Sequence, residues 1–199
     1  MKIHGDERSG NCYKIQLLCA LLGIDYAWQP VDILQGDTHT PEFLARNLNA
    51  KVPLLELDDG RCLAESNAIL LYLAEGSALI PADAFERASM LQWLFFEQYS
   101  HEPYIAVARF IARYLGLPEA RRADYESKQI GGHKALKVME TQLSKTPYLV
   151  GERPSLADIA LYAYTHVAGD GGFELQGYPA LCAWLRRIEA LPGYRRMNA

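Results

Sequence analysis

The hydrophobic period of this 199-residue chain changes once, near Gly76, and that change constrains the fold more than any other feature. Before it, short strand-like runs alternate with helical patterns. Lys2-Ile3-His4 reads as a short strand and Gly5 to Gly10 as a polar loop. From about Asn11, the residues Ile15, Leu18, Cys19 and Leu22 recur at helical spacing until Gly23, a glycine suited to the left-handed position after a helix. Tyr26 to Ile33 reads as a strand, Gln35 to Thr40 as a loop, and Pro41 as the first turn of a short helix. Val52 to Leu57 is the strongest strand signal. Asp59-Gly60 then turns the chain so that Arg61-Cys62-Leu63 returns antiparallel. Glu65 to Ala74 closes the series as a helix that presents Ile69, Leu70 and Leu73 to the sheet. The order is β-α-β-α-β-β-α. Its opening strand-helix-strand forms a right-handed parallel unit, and the hairpin adds an antiparallel edge to a mixed four-stranded sheet.

Beyond the change, helical patterns dominate. Glu86 to about Leu115 reads as one helix or a broken pair, and 122–143, 155–167 and 179–190 as three more. The expected organisation is therefore an α/β domain over 1–76, a linker over 77–86 and an all-helical bundle over 87–199. Ser155-Leu156-Ala157-Asp158 resembles a capping box, with aspartate in place of the usual Glu or Gln, and reads as structural.

Half the residues are hydrophobic, 22% are charged and the net charge is -4, a globular composition without the basic surplus of a nucleic-acid binder. Arg121-Arg122 and Arg186-Arg187 read as solvated helix faces. No run has the length of a membrane span, and Met1 to Gly10 lacks the apolar core of a signal peptide, so a cytoplasmic location is expected. Cys12, Cys19, Cys62 and Cys182 form no C-x-x-C pair and match no zinc spacing; reduced thiols and no metal are expected.

Four motifs in order carry a resemblance to the cytosolic glutathione S-transferase family across nearly the whole chain. They are Ser9-Gly10-Asn11-Cys12, Lys51-Val52-Pro53, Glu65-Ser66-Asn67-Ala68-Ile69 and the Ser155 to Asp158 box. The resemblance implies a thioredoxin-like N-terminal domain that binds glutathione, a small electrophilic or disulfide substrate beside the helical domain, and a homodimer. The strand end carries no tyrosine of the kind used by the alpha, mu and pi classes. The bacterial beta class places a cysteine where Ser9 stands. The chain is similar to the serine-type and bacterial branches.

The resemblance assigns the γ-glutamyl carboxylate to Glu65 and Ser66, at a helix start that favours an anion. It makes Pro53 a cis-proline that turns the Val52 backbone outward to pair with the tripeptide; the sequence alone fits an ordinary strand-start proline equally. His39 and Lys51 are cationic candidates for the glycine carboxylate, and either reads as plain surface without the resemblance. For the thiol, Ser9 comes first, Asn11 second and Cys12 third. A hydroxyl or amide donor stabilises a thiolate and lowers its pKa. Serine at this position also serves as an ordinary helix cap. Near a helix start Cys12 is favoured as a thiolate, yet it lies three residues past the family's usual position and fits equally a small buried hydrophobe against the sheet. Tyr99, His101, Tyr104, Arg109 and Tyr114 lie on the long helix of the second domain; helical spacing alone makes most of them packing or dimer-face residues, and their mix of aromatic and polar groups suits a partly polar cleft for the second substrate. Conjugation to an electrophile is the leading expectation. A glutathione-dependent disulfide reductase or peroxidase is the runner-up, and a non-catalytic binding protein of the same fold is the third reading.

Overall fold

The computed structural model describes residues 1–197, which divide into two compact units: 1–77 with the segment from Leu191 onward, and Ala78–Ala190.

The first unit is the mixed sheet. Its strands are β1 (Lys2–Gly5), β2 (Ala27–Pro30), β3 (Leu54–Glu56) and β4 (Cys62–Ala64), in the order β2-β1-β3-β4. β1 and β2 are parallel, while β1 with β3 and β3 with β4 are antiparallel. Helix α1 (Gly10–Leu22) connects β1 to β2, α2 (Pro41–Leu44) lies between β2 and β3, and α3 (Ser66–Leu73) follows β4. The arrangement is thioredoxin-like. Gly23 ends α1 at φ 65°, and the following amide of Ile24 returns to the Cys19 carbonyl at 2.8 Å, the bond a left-handed cap makes available.

Both expected long strands are shorter than their apolar runs. Pro30 ends β2 and Pro53 precedes β3, since neither can donate a ladder hydrogen bond. Past Pro30 the Asp32 carboxylate accepts from the amides of Leu34 (2.9 Å) and Gln35 (3.2 Å) and curls the chain into a turn. On one face of the sheet Glu56 accepts from Lys2 (3.0 Å) and Arg46 (3.1 Å) and bonds His4 (2.8 Å). Lys2 above all, then His4, hold its carboxyl down at about 2.

The chain's last described stretch departs from expectation. Residues 191–197, assigned from sequence to the helical domain, group with the first unit. Tyr13 donates to the Arg195 carbonyl at 2.6 Å, and Arg195 donates to the Tyr26 hydroxyl at 3.2 Å. Gly193 makes that approach possible: a Cβ there would stand 2.7 Å from the Ala20 carbonyl oxygen.

The second unit is all-helical. Its helices are α4 (Ala84–Phe96), α5 (Glu102–Arg109), α6 (Arg122–Leu143), α7 (Leu156–Thr165) and α8 (Pro179–Glu189). The expected helix over 86–115 is a broken one. α4 passes into α5 through a wider turn at Glu97–His101, and a second such turn, Phe110–Tyr114, follows α5. Pro103 explains the first, because its ring displaces the carbonyl one turn back and it offers no amide to it. Residues 78 and 79, expected in the linker, belong to this unit; the Leu79 carbonyl accepts the Leu156 amide at 3.0 Å. Gly132 lies under the Phe173 ring, where a side chain would collide. The core gathers Met90, Ile105, Leu136, Met139, Ile159 and Trp184, all fully buried.

Asp158 ties this unit together. One carboxylate oxygen accepts the Leu149 amide and the Trp184 indole N–H, both at 2.9 Å. The other accepts the Ser155 amide at 2.8 Å and the Ser155 hydroxyl at 3.0 Å. Both halves of the expected box are present, the Ser155 side chain meeting the Asp158 amide and the Asp158 side chain the Ser155 amide, and the serine hydroxyl also donates to the same carboxylate. Burial raises the Asp158 pKa, and these donors oppose the rise. Asp158→Ala would strand them in the core and is expected to cost more than about 3 kcal/mol in urea unfolding. Ser155→Ala is expected to cost about 1 kcal/mol. Equal losses for the two variants would show that the carboxylate is not the hub.

Candidate functional site

Register places three chain segments at one end of the sheet. His4 of β1 faces Leu54 of β3, and Leu54 faces Ala64 of β4. The loop that leaves β1 (Asp6–Ser9), the segment that enters β3 (Ala50–Pro53) and the residues that follow β4 (Glu65, Ser66) therefore lie side by side. α1 and α3 both begin there, so amides without intrahelical partners converge on the same edge.

Ser9 caps α1. Its amide donates to the Asp6 carbonyl at 3.0 Å, and its Oγ accepts the Cys12 amide at a long 3.4 Å. Ser66, at the start of α3, is the hub of the edge. Its Oγ accepts from the Lys14 Nζ at 3.1 Å and donates to the Asn11 Oδ1 at 3.2 Å. Glu65 is exposed and held at φ 67°, φ/ψ space that a side chain rarely occupies, with its carboxylate taking a bond from the Asn49 amide at 3.4 Å. The Val52–Pro53 bond is cis, as the resemblance implied, and Val52 stands just outside the β3 ladder.

The remaining candidates fall differently. Lys51 has an exposed side chain and a carbonyl anchored by the Asn47 amide at 2.8 Å. His39 is exposed in the turn Asp37–His39, and among the described residues no hydrogen bond joins its imidazole to the edge. Cys12 is completely buried; a Cβ on Gly5 would stand 2.8 Å from its Sγ and 2.6 Å from the Trp28 ring. Burial pushes its thiol up to about 12, against a lowering bond from the Ser9 hydroxyl. It is a protonated thiol facing the sheet.

Two residues were missed from sequence. Lys14 is wholly buried and bonds both Ser66 and, at 3.3 Å, the Asn67 Oδ1. Asn47, 7% exposed, shapes the turn that delivers Lys51 and Val52, accepting the Asn49 amide at 3.0 Å. Lys14 left a signal, a lone cation inside the apolar run from Cys12 to Leu22; Asn47 left only the asparagine pair Asn47 and Asn49 around Leu48. A cavity of about 450 Å³ lies among Glu7, Gln16, Cys19, Tyr26, Trp28 and Arg195. Among the described residues, no cluster of three or more His, Cys, Asp or Glu is arranged to hold a metal ion, and no helix is long and apolar enough to cross a membrane.

A thioredoxin-like unit with a cis-proline edge and a helix start at Ser66, joined in sequence to an all-helical unit, defines the two-domain architecture of the glutathione S-transferase fold. Residues 8–75 match the glutathione S-transferase N-terminal domain and 88–192 the C-terminal domain, so the chain belongs to the glutathione S-transferase family. It is 32% identical over 189 residues to the disulfide-bond oxidoreductase YfcG of Escherichia coli, covering 92% of this chain and 87% of that protein. The crystal structure of a glutathione S-transferase from Pseudomonas fluorescens is 61% identical, with a TM-score of 0.98 over 100% of this chain and 98% of that one. A maleylacetoacetate isomerase from Methylobacterium extorquens, solved with bound malonate and GSH, is 29% identical, with a TM-score of 0.83 over 97% of this chain and 94% of that one.

The burial of Cys12 gives a direct expectation. In native protein at pH 8, iodoacetamide should leave Cys12 unmodified while the half-buried Cys62 or Cys182 reacts, and urea should release Cys12 to the reagent. Peptide mass spectrometry reads the outcome. Rapid native labelling of Cys12 would restore it as a nucleophile.

Proposed function

We propose that the chain is a glutathione transferase whose Ser9 hydroxyl stabilises the thiolate of the bound tripeptide. The observation that carries this reading is the Ser66 hydroxyl, shared between the starts of α1 and α3 at the edge where Ser9, Val52 and Glu65 also lie. In this reading the Ser66 hydroxyl and the amides that open α3 receive the γ-glutamyl carboxylate, Glu65 receives its ammonium, and the Val52 backbone pairs with the cysteinyl peptide. Lys51 is the cation placed nearest in sequence to that pairing strand, and takes the glycine carboxylate ahead of His39. A relative solved with bound GSH supports the choice of tripeptide.

The thiol follows from the same geometry. Glutathione's S–H loses its proton to solvent, and the Ser9 O–H, with the Asn11 side-chain amide and the field of the α1 start, stabilises the resulting thiolate. The sulfur then attacks an electrophilic carbon, and the thioether bond forms as the carbon's bond to its leaving group breaks and that group departs with the electron pair. The name of the oxidoreductase relative favours a second reading, disulfide reduction. There the glutathione thiolate attacks one sulfur of the disulfide, a mixed disulfide forms and the other sulfur leaves as thiolate. A second glutathione then releases the remaining thiol and oxidised glutathione. The buried Cys12 makes glutathione's own sulfur the attacking group in both readings.

Cytoplasmic detoxification as a homodimer completes the proposal. Phe85, Phe95 and Tyr99, on α4 and the turn after it, are 79%, 71% and 85% exposed, an apolar surface of the second unit that a second copy would cover; in the first unit Leu48 is 91% exposed. Sedimentation at micromolar protein should report about twice 22.3 kDa. A monomer throughout would remove the dimer.

Calorimetry should show glutathione binding weakened about tenfold or more in Ser66→Ala and in Glu65→Ala; unchanged affinity in both would remove the site. Ser9→Ala should raise the bound thiol's pKa by about a unit and lower turnover at neutral pH roughly tenfold, while Cys12→Ala changes neither. Thiolate absorbance against pH in each complex decides. Turnover abolished by Cys12→Ala and kept by Ser9→Ala would instead mark a cysteine-type exchanger.

A further inference from the structure

We propose that the cavity of the first unit bounded by α1, β2 and the returning tail is a second binding site, built for a small zwitterion of the free α-amino acid type. The inference stands apart from the glutathione reading and uses none of the residues assigned to that ligand above.

The tail makes the cavity. Gly193 lets the chain pass close to the Ala20 carbonyl, and the Tyr13 hydroxyl donates to the Arg195 carbonyl at 2.6 Å. This brings the Arg195 guanidinium to Tyr26, whose hydroxyl accepts from Nη1 at 3.2 Å. The space is about 450 Å³, within the range of small-molecule sites, about 300–1,000 Å³.

Gln16 is the observation that points to a ligand. It is only 4% exposed and lines the cavity, yet its side-chain amide makes no hydrogen bond among the described residues. Trp28 lines the same cavity, and its Nε1 is buried without a partner among the described residues. Native interiors rarely leave such groups unpaired, and an apolar side chain of similar size would pack at position 16 without that cost. The Gln16 amide therefore calls for a partner from outside the chain, to which it offers both a donor and an acceptor.

The charges say which partner. Arg195 gives one donor to Tyr26, and burial raises the Tyr26 pKa, so its hydroxyl keeps a proton of its own to give. Arg195, Tyr26 and Gln16 can thus all donate to one carboxylate. Glu7 and Asp25 line the same space, both are exposed, and no ion pair among the described residues neutralises either. Two carboxylates against one guanidinium disfavour a bare anion and supply acceptors for an ammonium. Ala20, Ile24 and the Trp28 ring add hydrocarbon for an aliphatic side chain. Carboxylate, ammonium and a short apolar group on one small molecule describe an amino acid such as leucine.

The test is a titration of the full chain with L-leucine, followed by NMR at the indole N–H signals of its three tryptophans. Trp28→Phe, or sequential assignment, identifies the Trp28 signal. L-leucine should move that signal with a Kd of about 1 mM or tighter and leave those of Trp93 and Trp184, in the second unit, in place. Leucinamide and N-acetyl-leucine, each lacking one charge, should bind at least about fivefold more weakly, and so should L-leucine to Gln16→Met and to Arg195→Met. A Trp28 signal that stays fixed at about 10 mM L-leucine would overturn the site. Either blocked analogue binding as well as L-leucine would overturn the zwitterion, and full affinity in both variants would overturn the assignment of the ligand to this cavity. Should Gln16→Met not fold, the exposed Arg195→Met carries the comparison with the same outcomes.

Discussion

The pairing of β1 with β3 at the centre of the first unit's sheet is the constraint from which the candidate site follows. β3 is hydrogen-bonded on both sides, to β1 and to β4, so its entry, the exit of β1 and the exit of β4 share one edge. Two helices begin at that edge, and a helix start carries unsatisfied donors. The edge is therefore rich in amides whatever side chains it bears. The side chains add direction: Lys14 donates to Ser66 and Ser66 donates to Asn11, an ordered chain instead of a scatter of polar groups.

Proline and buried polarity divide the remaining work. Pro30 and Pro53 trim the strands so that pairing stops where the turns and the edge begin. Pro103 breaks the long helix of the second unit into α4 and α5. The buried Asp158 gathers donors from the loop before α7, from α7's own cap and from α8, so one carboxylate fixes three segments. An apolar residue there would leave each of those donors without its acceptor at a fully buried position.

The same steric economy explains why Cys12 and Ser9, three residues apart, differ so much. Ser9 precedes α1, where the backbone is still extended and its side chain turns back to the helix amides. Cys12 lies within the first turn, on the face pressed against Gly5 and Trp28, and its side chain is wholly buried there. A thiol at a helix start gains from the dipole only when solvent or a cation can also support its charge, and here desolvation wins.

Local chemistry made much of this legible in the sequence. Periodicity gave the order of elements, Gly23 and Pro41 gave helix ends, Asp59-Gly60 gave the hairpin, and Ser155 with Asp158 gave the cap, because each depends on neighbours a few residues away. The edge motifs were legible as well, by resemblance, and they marked Ser9, Val52, Pro53, Glu65 and Ser66 for one site. Three things waited for tertiary structure. The partnership of Lys14 with Ser66 spans 52 residues, the return of the tail to Tyr13 spans 182, and the depth of Cys12 depends on Gly5 and Trp28 from other strands. Periodicity places a residue on a helix face but does not say which chain segment covers that face. Sequence alone determined which elements form and where they stop, since backbone sterics and short-range hydrogen bonds set those. Burial, donor direction and the company each polar group keeps were decided only when distant segments packed together, because desolvation and hydrogen-bond geometry depend on every neighbour at once.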